Sequence, residues 1–150
     1  MISSIDVIIR LCVAFLCGII IGIERQLNNR TIGIHTNVLV CVGSCLFIFV
    51  GFAVQEQNSP SRIAAQVVTG IGFLGSGIIV KDNMSIKGIN TAATVWCSAA
   101  IGCLCGSGFW LTGLCSSCTL ACSNYILRDS NIKTILRVLG VEETSEETNN

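Results

Sequence analysis

Charged residues are scarce in this 150-residue chain, in which Asp, Glu, Lys and Arg together make up 12% of the sequence. An ordinary soluble domain carries roughly 25%. Apolar residues account for 51%, so too few polar side chains remain to cover the surface of a soluble domain of this size. The formal net charge is zero, which gives no electrostatic reason to expect a nucleic-acid partner. The composition therefore predicts an integral membrane protein whose surroundings are the lipid bilayer.

Long uncharged runs separate the short segments that carry the charges. A helix needs roughly 20 mostly apolar residues to cross a bilayer. The run from 88 to 127 is long enough for two such helices, with a turn at the Gly-Ser-Gly cluster 106–108. The sequence predicts an all-α bundle of five transmembrane helices, at residues 5–23, 37–54, 63–80, 90–106 and 109–127. No small-x-small cleavage site follows the first run, which is therefore expected to be a retained helix.

The distribution of Lys and Arg predicts the orientation of the chain in the membrane. With five spans, the segments 24–36, 81–89 and beyond 127 lie on one side, and their positive residues are Arg25, Arg30, Lys81, Lys87, Arg128, Lys133 and Arg137. The opposite side has only Arg10 and Arg62. Because positive loops stay in the cytoplasm, the N-terminus is expected outside and the C-terminus inside. A transmembrane domain is predicted over 1–128, followed by a short cytoplasmic tail over 129–150 that is disordered at its acidic end.

No Asp, Glu, Lys, Arg or His lies at mid-depth in any predicted span, and His35 in a loop is the single histidine. Such residues usually mark ion and proton pathways. One loop histidine also cannot complete a zinc site or a Ser–His pair inside the membrane. The sequence thus predicts neither a pump nor an enzyme, and neither a metal site nor a cofactor. A helical bundle that binds or regulates another membrane protein is what remains.

Small residues in the spans predict close contacts between helices. The run 70–75 matches the dinucleotide-binding pattern G-x-G-x-x-G, but that pattern works between a strand and a helix, and here it lies in a membrane run. Small residues spaced four apart along a helix let the backbones of neighbouring helices approach closely in lipid. Three such pairs are Gly18 with Gly22, Gly72 with Ser76, and Gly102 with Gly106.

Ten cysteines leave two interpretations open. Most lie within predicted spans, where cysteine is a small residue that packs well. The C-x-x-C pair Cys115 and Cys118 could alternatively form a redox motif, although the surrounding fold that such motifs need is not indicated.

Adjacent charges occur at the end of the first span. Glu24 and Arg25 point about 100° apart on a helix and cannot satisfy each other well. Each is therefore expected to have a partner elsewhere, in the bundle or on another protein, unless this helix end is simply solvated. Together with Arg62, they are candidate interaction residues. Asp6 and Arg10, at i,i+4 spacing in the first span, can pair with each other.

The segments 59–77 and 87–102 resemble the signature of the MgtC/SapB family, and 22–26 and 33–37 resemble its first cytoplasmic loop. The resemblance covers about residues 5 to 130, and the segment 90–97 is most similar to the MgtC branch. It implies a bacterial inner-membrane protein of five spans, with a virulence-associated role in growth at low Mg²⁺ and in survival inside macrophages. It further implies action on a membrane complex such as the ATP synthase, and not Mg²⁺ transport.

The resemblance assigns functional positions to Asn90 and Cys97. The two are seven apart, so they lie on nearly one face of a helix. Helix capping remains an alternative for Asn90, and packing remains one for Cys97.

Two departures from the family pattern stand out. His35 occupies a position that is usually Arg, which makes the charge of that loop depend on pH. Longer members carry a soluble C-terminal domain, whereas an acidic tail is predicted here. A transporter or channel for ions or small solutes, and a membrane redox protein, stay open as alternative functions.

Overall fold

The computed structural model describes residues 3–54, 59–82 and 85–128 as a bundle of five helices. The helices are α1 (Ser4–Leu27), α2 (Ile34–Ala53), α3 (Ser59–Ile78), α4 (Ile89–Gly106) and α5 (Trp110–Ile126). The predicted five-helix architecture is confirmed. By length and composition, α1, α2 and α4 can cross a membrane. Helix α5 has 17 residues and is shorter than a typical span, while α3 is rich in glycine and carries Arg62 and Gln66.

Helix α4 is the centre of the bundle and packs against each of the other four helices. Helix α3 lies at the periphery, where it contacts α2 and α4 and buries only Ser59 and Ile71. Helix α5 packs on α1 and α4. One apolar core joins α1, α2 and α4, and its fully buried members include Cys17, Cys41 and Cys105. Cysteine thus serves there as a core residue, as its small apolar side chain allows.

Glycines bring the backbones of α1, α2 and α4 into direct contact. A Cβ atom on Gly18 would lie 2.5 Å from the Cα of Val38, and Gly22 meets Ile34 more closely still. On α4, Gly102 lies against the carbonyl of Cys41, and the other predicted packing glycine of that helix, Gly106, lies against α2 one turn further along. Any side chain at these positions would push the helices apart.

The predicted packing pair on α3 requires a correction. No atom of a neighbouring helix lies within 4 Å of a Cβ built on Gly72, and Ser76 is exposed with its hydroxyl donating to the Phe73 carbonyl of its own helix. This side of α3 faces away from α2 and α4. The spacing of four therefore identified two small residues on α3 that make no contact with another helix among the described residues.

The connection between α3 and α4 is a β-hairpin where the sequence predicts only a loop. Strand β1 (Val80–Asp82) pairs antiparallel with β2 (Ser85–Lys87), and the ammonium of Lys87 forms an ion pair with Asp82. Gly88 follows with φ of 92°, a left-handed conformation that favours glycine. Its α-carbon also sits directly against the Ile78 carbonyl, so the hairpin returns tightly to the bundle.

The helices alternate in direction, so the segments that join them gather at two ends. At one end, here named the Arg25 end, the α1–α2 loop, the hairpin, the start of α4 and the end of α5 meet. Arg128 there donates to the side-chain oxygen of Asn28 at 2.8 Å. The Lys- and Arg-bearing segments predicted to share one side thus do share one end of the fold. The predicted tail over 129–150 lies outside the described residues.

At the opposite end, Arg10 is not paired with Asp6 as the spacing suggested. Its Nη1 instead donates to the carbonyl of Gly106 at 2.9 Å, at the C-terminus of α4. The positive guanidinium satisfies a carbonyl that the helix leaves free, at the end where the helix dipole is negative. Among the described residues, no ion pair joins Arg10 to Asp6.

Candidate functional site

The two residues assigned by the family resemblance lie on α4, on the side turned away from α1 and α2. Asn90 is exposed in the first turn, and Cys97 is half-buried two turns later. Together with the exposed residues Ala93, Trp96 and Ala100, they form what we name the outer face of α4. The indole of Trp96 is 50% exposed. The structure therefore brings both predicted residues to one open surface.

Asn90 does not cap α4. The N-cap position belongs to Gly88, and no side chain caps the helix there. The carbonyl of Asn90 accepts the hydroxyl proton of Thr94 at 2.9 Å, while its own side chain is exposed and makes no hydrogen bond to the described residues. The capping alternative is wrong, and the Asn90 amide is free to meet a partner.

Directly behind the outer face, Arg25 of α1 is buried against α4. Its side chain is 1% exposed, and its Nη2 donates to the hydroxyl of Thr91 at 2.8 Å. The partner expected for Arg25 is thus another helix of the bundle, and a solvated helix end is excluded for this residue. Burying a guanidinium costs free energy unless it is hydrogen-bonded, and the bond to Thr91 satisfies Nη2, whereas Nε is buried with no hydrogen-bond partner among the described residues.

Glu24 turns the other way, towards α5. Its Oε1 accepts the side-chain N–H of Asn28 at 2.6 Å, one turn further along α1. Its Oε2 is buried and has no hydrogen-bond partner among the described residues. Glu24 and Asn28 line a groove of about 420 Å³ between α1 and α5. Asn28 bonds both to the Glu24 carboxylate and to Arg128, so these hydrogen bonds connect α1 to the segment that follows α5.

Arg62 stands apart from these residues. It is exposed near the start of α3, at the end of the bundle opposite to Arg25. The structure does not bring it near Asn90 or Cys97, so the three candidate interaction residues do not form one site.

A second buried hydrogen bond, between α2 and α4, escaped the sequence analysis. The hydroxyl of Ser98 donates to the side-chain oxygen of Asn37 at 2.8 Å, and both residues are 0% exposed. Asn37 in turn donates to the Gly33 carbonyl at 2.8 Å. Asn124 of α5 donates to the hydroxyl of Thr94 at 3.4 Å, a longer contact. Polar groups from α1, α2 and α5 thus converge on the inward side of α4.

The pattern of α4 contained a signal for this network. Thr91, Thr94 and Ser98 are spaced three and four apart, so they lie on one helix face. In a membrane helix, such a hydroxyl stripe indicates hydrogen bonds to neighbouring helices. The hydrogen-bond partners of this stripe, Arg25 and Asn37, lie far from it in the sequence and could not be assigned from spacing.

Among the described residues, no group of three or more His, Cys, Asp or Glu side chains is arranged to hold a metal ion. The cysteines of that part of the chain are free thiols. Cys115 and Cys118 are exposed on α5. The outer face of α4 itself offers a free side-chain amide at Asn90 and an apolar surface at Trp96, groups that take part in hydrogen bonding and apolar contact.

A five-helix bundle with three apolar helices of spanning length is a multi-pass membrane protein. Residues 11–131 match the MgtC family model, and the chain belongs to this family.

Three similar relatives illustrate the match. Protein MgtC of Salmonella typhimurium is 46% identical over 123 residues, which cover 82% of this chain and 53% of the relative. Protein MgtC of Brucella abortus is 48% identical over 115 residues, covering 77% of this chain and 48% of the relative. An uncharacterised protein of Synechocystis is 47% identical over 121 residues, covering 81% and 52%. The chain spans about half the length of these relatives, and no solved structure matches it.

Proposed function

We propose that this chain is a regulatory protein of the bacterial inner membrane that acts by contact between the outer face of α4 and another membrane protein. The observation that carries the proposal is that Asn90, which is exposed, and Cys97, which is half-buried, share one open helix face. The relatives named Protein MgtC are bacterial, and the family resemblance adds a role in virulence, in growth at low Mg²⁺ and in survival inside macrophages. The ATP synthase is the partner complex that it suggests.

The proposal includes five spans, with the N-terminus outside and the C-terminus cytoplasmic. Helix α3 connects α2 to α4, and α5 follows α4 and ends at the Arg25 end. Because α1, α2 and α4 have the length and composition of membrane spans, α3 and α5 would cross the membrane in alternation with them. The Arg25 end holds Arg30, Lys81, Lys87 and Arg128. Positive loops favour the cytoplasmic side, which supports this orientation.

The outer face of α4 has the composition of a helix-contact surface. Ala93 and Ala100 are small and allow a second helix to approach closely. Trp96 offers a large apolar surface, and aromatic anchors of this kind dominate binding energy at many interfaces. The free amide of Asn90 would add a hydrogen bond near the membrane surface, where a polar contact fixes register. A membrane helix of the partner fits such a face.

Photo-crosslinking from this face tests the proposal. A photoreactive amino acid replaces Cys97 in native membranes, and the captured proteins are identified by mass spectrometry. The control places the same group at Leu16 of α1, which is exposed and lies on another helix. We expect capture of a defined membrane protein from position 97 and not from position 16. Equal capture from both positions, or none from 97, would contradict the contact role.

Function should follow the same surface. Asn90→Thr and Cys97→Ala are expected to abolish growth support at low Mg²⁺ while the protein still inserts in the membrane. Cys122→Ala, on the exposed side of α5, is the matched control and should leave growth unchanged. Wild-type growth in both α4 variants, or Mg²⁺ or proton flux in liposomes that contain the purified protein, would overturn the regulatory proposal in favour of another function such as transport.

A further inference from the structure

Two buried hydrogen bonds hold α4 in one rotational orientation. Thr91 accepts from Arg25 of α1, and Ser98 donates to Asn37 of α2, each at 2.8 Å. Thr91 and Ser98 are seven residues apart, so they lie on nearly one face of α4. They also directly follow Asn90 and Cys97 in the sequence. Each anchored residue is thus the sequence neighbour of a surface residue, and it points about 100° away from that residue around α4.

The anchors are costly to lose because their partners are buried. Arg25 is 1% exposed, and Thr91 is its one side-chain hydrogen-bond partner among the described residues. No carboxylate of these residues forms an ion pair with it. A rotation of α4 that moved Thr91 away would leave a buried cation without a side-chain acceptor, which is strongly unfavourable. Asn37 at 0% exposure would likewise lose the donor that satisfies its oxygen.

Helix packing and these hydrogen bonds constrain the rotation of α4 at different places along the helix. Gly102 and Gly106 hold the C-terminal part of α4 against α2, because a turn there would bring a neighbouring side chain against the backbone carbonyls of α2. Hydrogen bonds are directional and weaken steeply when misaligned. The two anchored residues therefore add a directional constraint over 91–98, in the part of α4 that precedes the glycine contacts.

We propose that Arg25 and Asn37 are positioning residues, which act through Thr91 and Ser98 to fix the rotation of α4 and so present Asn90 and Cys97 on its outer face. The consequence for a partner rests on the proposed function. The orientation itself does not, and it can be measured in the isolated protein.

Cysteines already present in the chain report the rotation of α4. Cys97 and Cys103 are half-buried, whereas Cys105 on the same helix is fully buried. A rotation changes the relative alkylation of these three thiols, while unfolding exposes all of them together with Cys17 and Cys41, which are fully buried on α1 and α2. Mass spectrometry of peptides from maleimide-treated protein in detergent measures every site separately.

Thr91→Val and Ser98→Ala each remove one anchor with little change of shape. In either variant we expect the alkylation ratio of Cys97 to Cys105 to change by about fivefold, the population change that corresponds to one net hydrogen bond. Cys17 and Cys41 should stay protected. Thr91→Ser keeps the hydroxyl and should restore the wild-type ratio.

Matched controls carry the same substitutions at hydroxyls that bond only within their own helices. Thr119→Val loses a bond to the Cys115 carbonyl, and Ser76→Ala loses one to the Phe73 carbonyl. Neither should change the ratio on α4. An unchanged ratio in both anchor variants, or a joint rise of all thiols including Cys17 and Cys41, would overturn the positioning role.

Photo-crosslinking separates this inference from the proposed function. In the Thr91→Val variant, capture of the partner should move from position 97 to position 93 or 100 on the outer face. If the thiol ratio changes but the unsubstituted chain captures no protein, the positioning role stands and the contact role fails. If that chain captures a partner and the anchor variants change neither capture nor ratio, the contact role stands and the positioning role fails.

Discussion

Replacing Gly102 by Ala should destabilise the bundle, although alanine is the better helix former. The added Cβ would meet the backbone carbonyl of Cys41 and would lie 2.9 Å from the Cβ of Ser44. A carbonyl within a helix cannot move aside as a flexible side chain can, so α2 and α4 must separate. Overpacking of this kind costs about 1–3 kcal/mol. The bonds that join α2 and α4, including that between Asn37 and Ser98, would be strained at the same time.

The same substitution at Gly43 of α2 provides the control. No atom of a neighbouring helix lies within 4 Å of a Cβ built there, so Gly43→Ala has only the gain in helix propensity, about 0.5–1 kcal/mol. Because both variants gain the same helix propensity, they should differ in free energy of unfolding by about 1–3 kcal/mol, the cost of overpacking at Gly102. Thermal or SDS-induced unfolding of the purified protein in detergent, followed by circular dichroism, measures the difference. Equal stability of Gly102→Ala and Gly43→Ala would refute the close contact of α2 with α4.

Two further predictions concern the ends of the bundle and its cysteines. Arg10→Leu should lower stability by about 1–3 kcal/mol because a charged hydrogen bond to the C-terminus of α4 is lost, whereas Asp6→Asn should not. An equal loss of stability in Arg10→Leu and Asp6→Asn, measured in the same unfolding assay, would indicate an Asp6–Arg10 pair instead. Replacing Cys115 and Cys118 together by Ala should leave growth at low Mg²⁺ unchanged, because both thiols are exposed and unpaired by a disulfide. Loss of growth support at an unchanged protein level would favour the redox alternative.

The number of helices follows from the sequence because charged side chains are expensive inside a bilayer. Charges can then stand only between helices, and each uncharged run marks one helix or two. The same rule places Arg25 and Arg128 at one end of the bundle without any knowledge of packing. Local preference was a weaker guide at 80–87, where the charged segment forms a hairpin instead of an irregular loop.

The contacts of individual residues were less predictable. Spacing of four identified Gly18 and Gly72 equally, yet only Gly18 lies against a neighbouring helix. The i,i+4 spacing of Asp6 and Arg10 likewise suggested a pair, but Arg10 reaches the carbonyl of Gly106, 96 positions away in the sequence. Spacing shows which residues share a helix face, and it does not show whether that face meets a second helix.

The sequence by itself determined that this is a multi-pass helical protein of the MgtC family and that Asn90 and Cys97 share one side of the fourth helix. A period of 3.6 residues and the cost of charge in lipid are sufficient for the helical spans and for the shared helix face, whereas the family follows from the similarity of the sequence itself. Only the tertiary structure decided that this side is open, and that Arg25 and Asn37 hold the helix from behind. Those contacts join residues more than 60 positions apart, and they depend on how helices pack, which no local pattern records.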